Sequence, residues 1–188
     1  GHDALQRITL IECSVPALKS LSKSQYQKFM ANVTQLIKAD QKIEVFEWVL
    51  YRVLSKELAP HFEKIPKHRT RYANVKAAGR ACRIMLASVA HATHTGDAER
   101  LNALNSALTT LKLPNVDSVP PFDLSDLNKA LRELRALAPL QKPAVIKAAG
   151  AMIAERPTPT AGALLHGVAA TMDCPLPISA LGGALTRG

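Results

Sequence analysis

Two stretches of this chain read Leu36-Ile-Lys-Ala-Asp-Gln-Lys-Ile-Glu-Val-Phe-Glu47 and Met152-Ile-Ala-Glu-Arg-Pro-Thr-Pro-Thr160. In both, the apolar spacing of an amphipathic helix gives way to a short polar joint, and helical spacing then resumes. We interpret them as the centres of two diverged copies of one helical hairpin, spanning 22–58 and 139–173. Two copies are too few for a solenoid, which needs about three or more stacked repeats.

Capping signals and periodicity predict that the rest of the chain is helical too. Ser22, with Gln25 three residues later, has the spacing of a capping box. Asp123 and Thr158 stand where N-cap residues are expected. No segment alternates apolar and polar residues convincingly enough to be a strand. The predicted fold class is all-α, a helical bundle containing the two hairpins.

Prolines set several of the predicted helix boundaries. The first helix is expected over 4–13, with Pro16 opening a turn after it. The second helix of the first hairpin is expected to end at Pro60, and a long helix is predicted over about 73–95.

The Pro-rich segment 114–122 is the clearest candidate linker. It is expected to join an N-terminal helical unit, 1–113, to a C-terminal unit, 123–188. Both units are expected to share one core.

Composition indicates a soluble globular fragment. Hydrophobic residues make up 47% of the 188 residues and aromatic residues only 4%, which suits helix-on-helix packing of aliphatic side chains. No stretch approaches the roughly 20 apolar residues of a membrane span. The start, Gly1-His2, suggests a piece excised from a longer protein. Cys13, Cys82 and Cys174 lack Cys-x-x-Cys spacing and are expected to be buried thiols in a reducing compartment.

The net charge of +9 favours anionic partners without choosing among them. A basic block, defined as Lys64, Lys67, Arg69, Arg71, Lys76, Arg80 and Arg83 together with His68, carries much of this charge. It is a candidate contact for anionic lipid or phosphate; the alternative is an ordinary solvated face. Only Tyr72 is interleaved, so the base-stacking platform of a nucleic-acid binder is not indicated.

Asp40, Glu44 and Glu47 are the candidate metal ligands, because carboxylates converging near a helix start can hold a hard cation. The alternative is that they cap the helix and complement its dipole, and Lys42 among them would oppose a divalent ion. The second hairpin keeps only Glu155 and is not expected to bind metal.

No catalytic residues are predicted in this chain. Its histidines do not form the His-Glu-x-x-His pair that a zinc peptidase needs, and no nucleophile elbow or phosphate-binding glycine loop is present. Trp48 and Tyr51 lie partly off the apolar stripe of their helix. They are interpreted as packing against the predicted 73–95 helix, with an exposed docking patch as the alternative.

The runs Pro16-Ala-Leu-Lys-Ser-Leu-Ser-Lys-Ser-Gln-Tyr-Gln-Lys-Phe29, Ala39–Glu47 and Met172-Asp-Cys-Pro-Leu-Pro177 carry a family resemblance. They resemble the C-terminal region of bacterial membrane-embedded zinc metallopeptidases of the HtpX/CAAX-prenyl-protease type. The resemblance covers most of the chain and is more specific at its ends than in its middle. It extends to the all-helical TerB-like domain, whose Ala-Asp-Gly…Glu pattern falls on Ala39, Asp40 and Glu47, with Gln41 in place of the Gly.

The resemblance implies a non-catalytic accessory domain on the cytoplasmic side of the bacterial inner membrane. Zinc and the membrane helices would belong to a catalytic region upstream, and this chain would hold no cofactor. Its partners would be the parent peptidase domain or a protein substrate, and its basic block would face the anionic inner leaflet. The alternatives are a free-standing TerB-like stress protein that senses a metal ion and, less in keeping with the sequence, a nucleic-acid binder.

Overall fold

The structure is a computed structural model that describes residues 3–39 and 44–176. These residues form eight α-helices: α1 (Asp3–Leu18), α2 (Lys23–Ala39), α3 (Val45–Phe62), α4 (Gly79–Thr93), α5 (Asp97–Thr110), α6 (Leu124–Arg135), α7 (Lys142–Glu155) and α8 (Pro159–Met172). Short 3₁₀ turns, Val75–Ala78 and Pro139–Gln141, lead into α4 and α7. No strand occurs within these described ranges, and the all-α prediction is confirmed. Kinship between the two hairpins stays a prediction.

Three helix starts confirm the predicted caps. The N–H of Ser22 donates to Gln25 Oε1 at 2.8 Å, and the N–H of Gln25 donates to Ser22 Oγ at 3.2 Å. Asp123 Oδ1 and Thr158 Oγ1 each accept the backbone N–H three residues later, at 2.8 and 3.1 Å. Short polar side chains therefore satisfy N–H groups that lack a partner inside the helix.

Two prolines lie inside helices where helix ends were predicted. α1 runs past Pro16, and α3 runs past Pro60. Each proline lies in the last turn, where few intrahelical hydrogen bonds remain to be lost. Leu18 and Phe62, which follow the two prolines, pack against a buried apolar cluster and favour continuing each helix. The predicted 73–95 helix is also wrong at its start, where a 3₁₀ turn precedes α4.

The helix α3 lies between two apolar clusters. On one side, Leu54 and Leu58 pack with Val15 of α1 and Tyr26 of α2. On the other side, α3 faces the main core, and its contact with α8 is the most extensive between any two described helices. The main core draws on helices before and after residues 114–122. None of the described helices combines the length and apolar character that a bilayer-spanning segment requires.

A non-helical connector, residues 63–74, joins α3 to the first 3₁₀ turn. It is held against the end of α6, because the N–H groups of Arg71 and Tyr72 donate to the carbonyl of Ala136 at 2.8 and 3.2 Å. The N–H of Ala138 returns a 2.8 Å hydrogen bond to the carbonyl of Tyr72. These backbone hydrogen bonds hold the polar connector next to the C-terminal end of α6.

Candidate functional site

A cleft of about 520 Å³ opens between the C-terminal half of α3, the connector, and the ends of α6 and α8. Its charged lining consists of Arg52, Lys56, Glu63, Lys64, Arg135 and Asp173, with His68 beside them. Four permanent cations therefore face two carboxylates. The excess of positive charge makes the cleft suited to an anion.

Arg52 is the most deeply placed of these cations. One of its Nη atoms donates to Asn128 Oδ1 of α6, and the same oxygen accepts the indole N–H of Trp48 at 2.8 Å. Burial lowers the pKa of Arg52, and the nearby guanidinium groups of Arg132 and Arg135 lower it further. An arginine nevertheless stays protonated at neutral pH. The fold thus keeps a permanent positive charge partly buried.

Three buried polar atoms at this cleft have no hydrogen-bond partner: Arg52 Nε, Ser55 Oγ and Arg135 Nε. They are all the unpartnered buried side-chain nitrogen and oxygen atoms found in the described part of the chain. A buried donor left without a partner costs about 1–3 kcal/mol. Because all three residues line one cleft, the cost is concentrated where a ligand could relieve it.

The two carboxylates of the cleft have cationic or hydroxyl partners other than the arginines. Asp173 Oδ1 lies 3.5 Å from Lys56 Nζ, and Glu63 Oε1 accepts the Tyr26 hydroxyl at 3.0 Å. Among the side chains that the structure describes, no carboxylate oxygen lies within 4.0 Å of the guanidinium group of Arg52 or Arg135. The two guanidinium groups therefore keep their charge available to the cleft.

His68 lines the cleft, and Lys142 lies near the cleft residues Asp173 and Arg135. Lys142 Nζ donates to the carbonyl of Met172 at 2.7 Å, and its burial lowers its pKa. The pKa of His68 is lowered by burial and by the charge of Arg135. His68 is therefore expected to add a hydrogen-bonding ring more than a charge at neutral pH.

The predicted basic block is largely solvent-exposed. Only Arg83 is half-buried, and its Nε donates to the carbonyl of Gly79 at 3.5 Å. Of the seven Lys and Arg residues, only Lys64 also lines the cleft. No ion pair involving the seven occurs among the described residues. A contact role for this block stays a prediction.

The candidate metal ligands are only partly described. Asp40 lies outside the described residues, while the N–H of Glu44 donates to Glu47 Oε2 at 3.3 Å, as in a capping box at the start of α3. Among the residues with a described position, no group of three or more His, Cys, Asp or Glu side chains could hold a metal ion. Metal binding by Asp40, Glu44 and Glu47 stays a prediction.

Trp48 is buried, so the exposed-patch alternative is wrong for it. Its ring lies against Gly167 of α8, and its N–H reaches Asn128 of α6. Tyr51 stays half-exposed, with the Arg52 guanidinium 5.7 Å from its ring centre.

Sequence reasoning missed Arg52, Ser55 and Arg135. No motif joins them, since the first two lie on α3 and the third lies some eighty residues later on α6. A basic residue within an otherwise apolar helix was the available signal, because Arg52 lies among the apolar residues of α3.

No protein-family model, curated protein sequence or solved structure matches this chain. The resemblance to membrane metallopeptidases stays a prediction.

Proposed function

We propose that this chain is a non-catalytic interaction domain that docks onto an anionic membrane surface through the basic block. The supporting observation is that six of its seven Lys and Arg side chains are exposed, and that none has a carboxylate partner among the described residues. Unpaired surface cations project their field into solvent. Each is worth about 1 kcal/mol next to an anionic leaflet.

The block has two parts with different backbones. Lys64, Lys67, Arg69 and Arg71 lie on the connector, which is anchored to α6 by backbone hydrogen bonds. Lys76, Arg80 and Arg83 follow at spacings of four and three, which places them on one side of the 3₁₀ turn and α4. The connector residues are the better targets for mutation because they lie outside any helix.

The resemblance carried by Ala39–Glu47 and by the run ending at Pro177 supports a context for this surface. In that proposal the chain is an accessory domain of a membrane-bound zinc metallopeptidase, zinc is bound upstream, and the anionic surface is the inner leaflet. The full sequence contains no His-Glu-x-x-His pair, which supports a non-catalytic role. Zinc-dependent proteolysis by the purified chain would contradict it.

The test is co-sedimentation with phosphatidylglycerol vesicles and with neutral phosphatidylcholine vesicles. We expect binding to the anionic vesicles alone, weakening as salt is raised. The variant Lys67→Gln/Arg69→Gln/Arg71→Gln should lose most of the binding. The control Lys23→Gln/Lys28→Gln/Lys147→Gln removes the same charge from exposed positions on α2 and α7 and should retain most of it.

Equal binding to both kinds of vesicle would overturn the proposal, as would an equal loss in both triple variants. Tighter, steeply salt-dependent binding to duplex DNA would instead support the nucleic-acid alternative.

A further inference from the structure

We propose that the cleft between α3, α6 and α8 is a binding site for a phosphate monoester, held by Arg52, Ser55 and Arg135. None of these three residues belongs to the basic block, although Lys64 and His68 of that block also line the cleft, and the site goes beyond the docking function. Its residues lie on helices that the main core holds together, whereas the docking residues lie mainly on the connector.

Hydrogen-bond donors without partners are the first feature of the cleft that favours a ligand. Buried polar atoms in folded proteins nearly always have a partner. In the described part of this protein the three exceptions all belong to residues that line one cleft, and each carries an N–H or O–H donor. Once these side chains turn toward the cleft, a ligand oxygen there would give the donors the acceptors that the protein does not provide.

The positive charge of the cleft arginines is the second feature. Arg52 and Arg135 face the cleft without a carboxylate within ion-pair distance among the described residues. Arg132 lies close enough to Arg52 to lower its pKa, and it adds positive charge next to the cleft. Guanidinium groups bind phosphate through parallel N–H donors, and such charge-assisted hydrogen bonds are about twice as strong as neutral ones. An anion would therefore stabilise this arrangement.

The number of donors in the cleft favours one class of anion. A carboxylate offers two oxygens and one charge, which leaves part of this donor set unused. A phosphate monoester offers three terminal oxygens and nearly two charges at neutral pH, since its second proton leaves near pH 6. The cleft is also larger than a bare phosphate needs, and Ala59, Pro60 and Ile65 give it an apolar wall for the esterified group.

The experiment titrates the full chain calorimetrically with inorganic phosphate, phenyl phosphate and acetate. We expect saturable binding of both phosphates with one site per chain, tighter for phenyl phosphate, and none for acetate. Binding of phenyl phosphate should weaken as pH falls through about 6 because the monoester gains a proton. No saturable binding at millimolar phosphate, or equal binding of acetate, would overturn the proposal.

Ser55→Ala is the sharpest variant. The hydroxyl has no partner in the protein, so its removal should leave the unfolding midpoint unchanged or raise it. If the hydroxyl binds the ligand, the same change should weaken phosphate binding. Arg135→Gln should weaken it about 10-fold or more, because a charge-assisted hydrogen bond is lost. Arg80→Gln, an equal charge change at an exposed site outside the cleft, should leave it nearly unchanged.

Vesicles distinguish a lipid phosphate from a soluble one. Vesicles containing phosphatidic acid, a lipid phosphate monoester, are compared with phosphatidylglycerol vesicles, whose phosphate is a diester. Loss of the phosphatidic acid preference in Arg135→Gln would identify a lipid source, whereas soluble phosphate binding without that preference would identify a free ligand. Equal phosphate binding by Ser55→Ala, Arg135→Gln and the parent would overturn the cleft site while leaving phosphatidylglycerol docking intact.

Discussion

Gly167 of α8 lies directly against the indole ring of Trp48 on α3. A Cβ atom placed on Gly167 would lie 2.5 Å from Cζ3 of Trp48 and 3.0 Å from Cγ2 of Val49. Real side chains do not approach this closely, so a larger residue at position 167 requires the ring or a helix to move. Trp48 is only 4% exposed and its N–H is bonded to Asn128, so the ring has little freedom to move.

We therefore predict that Gly167→Ala destabilises the protein. Overpacking of a core typically costs about 1–3 kcal/mol, and this outweighs the roughly 1 kcal/mol that alanine gains over glycine in a helix. Chemical denaturation followed by the fluorescence of Trp48, the single tryptophan of the chain, measures the change. The native-state emission of Gly167→Ala should also shift, because the ring itself is displaced.

The matched control for this change is Gly96→Ala. The nearest atom to a Cβ at Gly96 is 3.7 Å away on the Glu99 side chain, an ordinary contact. Its effect should be smaller, limited to the lower N-cap preference of alanine, and Trp48 emission should not change. An unfolding free energy for Gly167→Ala equal to or above that of the parent would contradict the packing argument.

Asn128 is the second position where a small change has a large expected effect. Its Oδ1 accepts both the Trp48 N–H and the Arg52 guanidinium. Asn128→Ala leaves both donors without that acceptor, and we expect a loss of at least about 1–3 kcal/mol in the free energy of unfolding. Urea denaturation measures it.

Asn128→Asp separates the hydrogen bonds from the charge. A carboxylate keeps an acceptor for both donors and adds an anion next to Arg52, which lacks one among the described residues. We expect this variant to be at least as stable as the parent, and to bind phosphate more weakly because the added anion lowers the positive charge near the cleft. A loss of stability as large as that of Asn128→Ala would show that the charge of Arg52 is already compensated.

His166 makes the stability depend on pH. Burial lowers the pKa of His166 below its ordinary value of 6.5, and Glu12, 3.8 Å from Nδ1, only partly opposes this. The unfolded chain therefore binds a proton at this residue before the folded chain does. The contribution of neutral, buried His166 to the free energy of unfolding is fully present above pH 6.5. It decreases as pH falls from 6.5 through the lower folded-state pKa.

Thermal unfolding midpoints measured across this range test the prediction. His166→Gln should make the fall of the midpoint at low pH less steep. Glu12→Gln should make it steeper, because the carboxylate that favours protonated His166 in the folded chain is gone. An unchanged slope in His166→Gln would show that other groups cause the decrease.

The helical class and several helix starts could be predicted because they depend on local chemistry. Ser22, Asp123 and Thr158 cap helices through bonds to residues three positions away, so a short window of sequence contains both partners. Helix ends at prolines were predicted less well. Pro16 and Pro60 are tolerated in last turns because nearby side chains are buried by other helices, and a local window does not show that burial.

The cleft could not be predicted because its members meet only in the folded chain. Arg52 and Asn128 are 76 positions apart, and the contact depends on how α6 packs across α3. From the sequence alone, a single arginine in an apolar helix is equally consistent with a solvent-exposed side chain. Its buried Nε becomes visible as an unsatisfied donor only once the neighbouring helices are in place. The basic block was visible in sequence because its residues are close together along the chain.

Thr158 combines a predictable role with one that only the structure shows. Its Oγ1 caps α8 and also donates to the carbonyl of Ala92 in α4 at 2.7 Å, so one hydroxyl connects two helices. Thr158→Val keeps the shape and removes both bonds, and we expect a loss of about 1–3 kcal/mol, more than a cap alone usually contributes. Thr158→Ser keeps the hydroxyl and should retain most of the stability. In denaturation experiments, a Val variant as stable as the Ser variant would show that neither hydrogen bond of the hydroxyl adds to the stability of the folded chain.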